Sequence, residues 1–177
     1  TLIGPGTWDA VEAAAGAAVT AVDLVATAAW VDGVGTESPG HGSGAAPLAY
    51  ALCRPPGHHA AREAFGGSCY LNNAAIAAEA LRGRGARRVA VLDIDAHHGN
   101  GTQAIFYNRA DVFYGSVHVD PGAGWFPHFM GFAEETGFHG GVGTNLNIPV
   151  PPRAGDDRWL DAVQEMVDGA RAFHPDA

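Results

Sequence analysis

Apolar residues along this chain fall into short blocks separated by Gly, Pro and Asn. Residues 89–92, VAVL, are apolar throughout and too few for a helix, which predicts a buried parallel strand. The chain then turns polar at once, in DIDAHHGNG (93–101). Open α/β sheets place ligands at that end of their strands. If the extended conformation continues, Asp93, Asp95 and His97 share one face. Further strands are predicted at residues 48–53, 111–118 and 145–150. Helices are predicted from Thr7 to about Trp30, at 70–82, at 102–108 with Thr102 as its cap, and at 156–173. Thr7 is the N-cap expected for the first, with Asp9 and Glu12 near the positive end of its dipole. Residues 32–46 read as loop, 54–68 as a polar Gly/Pro-rich segment, and 120–143 as a long glycine-rich loop of the kind that carries function. This alternation predicts one α/β domain over residues 1–177, a mostly parallel sheet with helices on both faces.

Composition narrows the partners. The 177 residues are 47% hydrophobic, enough for a sizeable core. The net charge is −9, and every Lys/Arg position is arginine. An acidic chain with no basic stretch argues against a nucleic-acid partner and favours a cationic small substrate. The apolar run 10–31 is long enough to span a bilayer, but it is mostly alanine and is interrupted by Glu12 and Asp23. A buried or half-buried helix is therefore expected, with no membrane partner. Cys53 and Cys69 form no CxxC pair, which points to a reducing, cytoplasmic compartment. The chain does not begin with Met, carries no signal-peptide n-region, and stops after a helix, where an αβ unit would begin its next strand. Both ends are read as cut.

Asp95 and His97 are the first candidates for metal ligands. Same-face strand neighbours lie about 6–7 Å apart, so both side chains reach one ion at about 2.0–2.2 Å. A carboxylate with an imidazole suits zinc or another divalent transition metal. The alternative is an Asp–His pair satisfied by loop backbone. Asp93 weighs against it, because a second carboxylate on that face needs a cation or a histidine. His58 and His59 follow a rigid Pro-Pro-Gly. They are either surface residues or a pair dividing general base and general acid work. Such a pair needs partners on its far nitrogens, and Asp93 and Asn100 are the candidates. His98 is expected to point off the metal face. Ser116 and Val117 offer hydroxyl and carbonyl oxygens near Asp95 to a hard monovalent cation. Trp125, Phe126 and Phe129 form either a satellite cluster or a substrate-tunnel wall.

RPPGHHA (54–60), GGSCYLNNAAIAA (66–78), DIDAHHGNGTQAIFY (93–107) and GSVHVDP (115–121) occur in this order. Together they resemble the histone deacetylase and acetylpolyamine amidohydrolase family through most of the chain, from GPGTW to NLNIPV and the helix after it. GPGTW, HVDP and AEETG (133–137) lean toward the bacterial acetylpolyamine amidohydrolase branch. The resemblance implies a partial arginase/deacetylase α/β fold and zinc-dependent removal of acetyl groups from amines, either acetylpolyamines or acetyl-lysine. It implies Asp95 and His97 as zinc ligands, and His58 and His59 as tandem catalytic histidines. Asp93 is implied behind His58, and Asn100 behind His59 as in class II members. It also implies a structural potassium ion among Asp93, Asp95, His97, Ser116 and Val117. The Gly67 carbonyl would receive the substrate amide, and Ser68 with Trp125 or Phe126 would line the tunnel. A homodimer is compatible with this reading.

The sequence departs from the family pattern in places. The family has an aromatic residue where Ser68 stands. Its third zinc ligand, an Asp in a GxD strand end, and its oxyanion tyrosine have no counterpart here, nor has its N-terminal strand. Two other readings compete. A dimanganese ureohydrolase would show a DAHxD run and a GGDHS-like segment, and this chain has neither. A non-catalytic domain or partial product would fold or bind partners without turnover.

Overall fold

A computed structural model describes residues 3–31 and 47–177. The loop expected at 32–46 lies outside the described residues. Chain order is α1 (Thr7–Val31), α2 (Asn73–Gly83), β1 (Val89–Asp93), α3 (Asn100–Phe106), β2 (Val112–Val119), β3 (Asn145–Val150) and α4 (Asp156–Phe173). The three strands form a parallel sheet in the order β1-β2-β3. Its rows align Val91 with Tyr114 and Asn145, and Asp93 with Ser116 and Asn147.

Alternation along the strands divides the sheet into two chemically different faces. Ala90, Phe113, Val117, Leu146, Ile148 and Val150 pack against α4. That helix buries Ala162, Met166, Ala170 and Phe173, a single stripe at helical spacing. Each large side chain so buried contributes roughly 1.5–3 kcal/mol. On the other face, Val89 and Val112 join Ala75 and Ala78 of α2 and Phe106 of α3. Helices therefore cover both faces, as expected. Toward the C-terminal ends of β1 and β2, and in the first half of β3, this second face turns polar, with Asp93, Ser116, His118, Asn145 and Asn147.

Several predicted details differ. Residues 48–53 are not a strand: Leu48, Tyr50 and Leu52 are 94%, 85% and 80% exposed, and no described neighbour supplies a ladder. Extended alternation without a hydrogen-bonding partner does not make a strand. Thr7 is the first helical residue, not the cap; its hydroxyl accepts the Gly4 N–H, and Gly6 accepts the first helical bond from Ala10. Helix α2 starts three residues later than residue 70 because Asn72 caps it, accepting from the Ala75 N–H. Helix α3 begins at Asn100, so Thr102 lies inside it, wholly buried. Helix α1 buries one stripe, Val11, Ala14, Ala18 and Val22, and leaves its other face exposed. By length and composition its residues 7–27 are apolar enough to cross a membrane.

Past α4, the Asp176 N–H donates to the Arg88 carbonyl and the Ala90 N–H to the Ala177 carbonyl, so the last residues lie alongside β1. Beyond Ala90 that edge has no partner among the described residues, and Ile94 is 62% exposed.

Two glycines seat the histidine turn. A Cβ at Gly57 would lie 2.5 Å from the Asn73 nitrogen, and one at Gly101 would lie 2.4 Å from the Ala60 carbonyl group. The turn is thus pressed between the N-termini of α2 and α3 at a distance only glycine permits. Gly101→Ala is expected to destabilise the fold by about 1–3 kcal/mol, measured by urea unfolding. A wild-type midpoint would contradict this packing.

Candidate active site

The histidine turn is held by side chains of the flanking helices. Asn72 Nδ2 donates to the Ala60 carbonyl (3.0 Å) and Asn73 Nδ2 to the Pro55 carbonyl (3.1 Å). The Thr102 N–H donates to the His58 carbonyl at 3.1 Å. His58 and His59 therefore leave the turn with rings 4.0 Å apart. His58 Nδ1 meets Asp93 Oδ2 at 2.9 Å, and His59 Nδ1 meets Asn100 Oδ1 at 2.8 Å. Both partners are acceptors, so each Nδ1 carries the hydrogen and each Nε2 keeps a lone pair.

The pair is electrostatically unequal. Burial works against protonation of His58, but the hydrogen bond and charge of Asp93 outweigh it and raise its pKa. Burial and the neighbouring His58 lower that of His59, against a weaker upward pull from Asn100. Burial would raise the Asp93 pKa, yet His58, the Asp95 N–H and Tyr114 together bring it below the usual carboxylate value.

Asp95 and His97 come together by a different route from the expected one. The strand ends at Asp93 and the chain bends through residues 95–97. Asp93 Oδ1 accepts the Asp95 N–H (3.1 Å), and Asp95 Oδ1 accepts the His97 N–H (2.8 Å). These successive Asx bends, not a continuing pleat, bring His97 Nδ1 to 3.0 Å from Asp95 Oδ1. Asp93 turns inward to His58, whereas the side chains of Asp95 and His97 are 52% and 44% exposed. An oxygen and a nitrogen side by side at that separation suit two ligands of one tetrahedral ion. Among the described residues no third His, Cys, Asp or Glu completes a group of three. Asp95 also lines a cavity of about 540 Å³ along the open β1 edge, with Cys53, His58, Leu92, Asp93 and Ile94.

The loop aromatics reach the histidines. Phe126 meets His59 edge-on at 4.7 Å, and the Trp125 ring is 5.7 Å from His97. Gly67 sits beneath both His59 and Phe126: a Cβ there would overlap the His59 ring and lie 2.9 Å from Phe126. Its carbonyl faces the buried Cys69 thiol at 3.6 Å. Ser68 is exposed and opens instead on a groove with Thr7, Ala10, Arg54, Pro55 and Tyr70. Phe129 is 87% exposed and takes no part in the wall. Ser116 and Val117 are wholly buried; Ser116 Oγ bonds His118 Nδ1 at 2.9 Å. The Val119 N–H donates to the Ala96 carbonyl, which ties the 95–97 bend to β2.

Residues not singled out in the sequence hold this arrangement. Gln103 Oε1 accepts from His98 Nε2, Asn145 Nδ2 and Asn147 Nδ2, and its Nε2 donates to Glu135 at 2.6 Å. Glu135 also accepts the Gly131 and Phe132 N–H groups, so one glutamine anchors the long loop. Asn-Asn before an alanine-rich helix was a readable capping signal for Asn72. Gln103 carried no such signal, because apart from His98 its partners come from two distant segments, the loop at Glu135 and β3.

The chain matches the histone deacetylase domain model over residues 1–177. It belongs to the histone deacetylase family. It is 45% identical over 177 residues to the acetylpolyamine amidohydrolase of Mycoplana ramosa, covering 100% of this chain and 47% of that protein. It is 39% identical to histone deacetylase 8 of Arabidopsis thaliana, covering 99% of this chain and 43% of that protein. The crystal structure of acetylpolyamine aminohydrolase from Burkholderia pseudomallei superposes with a TM-score of 0.83 at 45% identity, over 98% of this chain and 45% of the other. The deacetylase-family chain thus spans about half the length of the relatives it matches.

His98 gives the site a measurable acid sensitivity. It is 2% exposed, and burial with the neighbouring His118 lowers its pKa to about 3. The unfolded chain binds a proton there below about pH 6.5, so this residue's contribution to stability falls as pH drops from 6.5 toward 3. His98→Gln is expected to flatten that dependence by up to about 1.4 kcal/mol per pH unit, read from urea unfolding at a series of pH values. An identical slope in both proteins would contradict a neutral buried His98.

Proposed function

We infer that the protein hydrolyses the acetamide of acetylated amines with the help of zinc, and that acetylpolyamines are its substrates. The observation carrying this reading is the unequal histidine pair, His58 on a carboxylate and His59 on an amide, beside the adjacent donors Asp95 and His97. The names of the relatives from Mycoplana ramosa and Burkholderia pseudomallei support the polyamine substrate, and the net charge of −9 favours a polycation.

Asp95 Oδ1 and His97 Nδ1 would hold the zinc, with a further ligand from outside the described residues. When bound, the ion supplies Lewis-acid polarisation of the acetamide carbonyl and acidifies a water. His59, with its lowered pKa and a free Nε2, takes the proton from that water. His58, which holds a proton more readily, delivers one to the departing amine nitrogen. Asp93 keeps the His58 ring oriented through Nδ1 and stabilises it when charged. Phe126 and Trp125 keep water from the histidines on one side, and the Gly67 carbonyl accepts the substrate amide N–H. A structural potassium ion would take oxygens of Asp93, Asp95, His97, Ser116 and Val117. The register pairing of Asp93 with Ser116 favours it.

In the full-length protein, Asp95→Ala or His97→Ala is expected to remove zinc, measured by atomic emission; full occupancy in either variant rejects the ligand assignment. His59→Ala is expected to retain zinc and lose at least about 100-fold in kcat, and near-normal turnover would exclude its role as base. Comparing kcat/KM for N-acetylputrescine with that for an acetyl-lysine peptide tests the substrate. A preference for the peptide would transfer the reading to protein deacetylation.

A further inference from the structure

Tyr114 heads the wholly buried side chains by volume, at 1% exposure. Its place on β2 pairs it with Val91, two residues short of Asp93. The length of the ring carries its hydroxyl to the last residue of β1, where it donates to Asp93 Oδ2 at 3.1 Å. That oxygen also accepts the His58 Nδ1–H at 2.9 Å, while Asp93 Oδ1 accepts the Asp95 N–H. Gly99 closes over the junction: a Cβ there would lie 2.4 Å from both Asp93 Oδ2 and the Tyr114 hydroxyl, and 3.2 Å from His58 Nδ1. Three groups thus meet where even a methyl group has no room.

We propose that the Tyr114 hydroxyl is a positioning group for the acid–base pair, fixing the rotamer of Asp93 and through it the plane of the His58 ring. The proposal rests on the reading of His58 and His59 as that pair. A carboxylate held by one donor on each oxygen still pivots about its side-chain bonds. A third donor from another strand removes that freedom, and charge-assisted bonds of this kind are the strong ones. Buried as it is, Tyr114 touches no substrate, so it acts through Asp93 and is not itself catalytic. Misplacement of a reacting group by a fraction of an ångström to 1 Å is enough to slow turnover by orders of magnitude. Phenylalanine would fill the same volume, which separates the hydroxyl from the packing of the ring.

The test is Tyr114→Phe in the full-length protein, read by kinetics on N-acetylputrescine, zinc content and the ring N–H proton resonance of His58. That resonance is assigned by its loss in His58→Ala. The expected result is a fall in kcat of about tenfold with KM and zinc content unchanged, and an upfield shift or broadening of the His58 N–H signal. In an Asp93→Asn background the same substitution is expected to have no further effect. The proposal is overturned by a kcat equal to wild type, by an equal loss in the Asp93→Asn background, or by loss of zinc together with activity. Failure of the variant to fold also overturns it, since the hydroxyl would then hold the fold and not Asp93. If the wild-type protein hydrolyses no acetylated amine, the functional reading fails by itself. The His58 signal still decides the positioning claim, with an unmoved signal against it.

Discussion

A buried carboxylate at the end of a parallel strand has to be matched by hydrogen-bond donors, and the site is built around that requirement at Asp93. Its charge would be costly there without partners. Donors come from three parts of the chain: the histidine turn, the second strand and the bend that follows β1. Meeting the requirement places His58. Because His59 is its sequence neighbour, the same requirement places the second imidazole, which finds an amide partner on α3. The two histidines differ chemically because their partners differ in charge.

The sheet's two faces divide the remaining work. Helix α4 covers an apolar face and supplies most of the hydrophobic packing around Met166 and Phe173. The opposite face is apolar only at its N-terminal end. Toward the strand ends it carries polar side chains whose partners are loop and helix groups. There Gln103 gathers His98, Asn145, Asn147 and Glu135 and so fixes the loop that brings Trp125 and Phe126 to the histidines. Bonded through one glutamine, this buried polar cluster favours one arrangement where an apolar cluster would tolerate several, although His98 Nδ1, Asn145 Oδ1 and Asn147 Oδ1 have no partner among the described residues.

Much of this was legible in the chain. The strand at 89–92 and the polar switch after it followed from apolar patterning, and Asp93 and Asn100 stood out as candidate partners for the histidines; the assignment of Asp93 to His58 and Asn100 to His59 came from the family resemblance. The way Asp95 and His97 approach each other did not. A pleat and a pair of Asx bends both bring residues i and i+2 together, and side-chain periodicity does not separate them. The segment 48–53 is an apolar run of strand length, but strand formation depends on a neighbour that local sequence does not contain. Tyr114 lies within the strand predicted at 111–118 and was not singled out. Only the register of β1 against β2 shows that its hydroxyl reaches Asp93.

Asp95 and His97 project outward at the sheet end while the groups behind them are buried. That contrast is what a bound ion on the open side would demand. The most direct measurement is anomalous diffraction at the zinc absorption edge from crystals of the full-length protein. One peak is expected about 2.0–2.2 Å from both Asp95 Oδ1 and His97 Nδ1, in front of the His58–His59 pair. A peak elsewhere, or no peak in protein that hydrolyses acetylated amines, would contradict this ligand assignment.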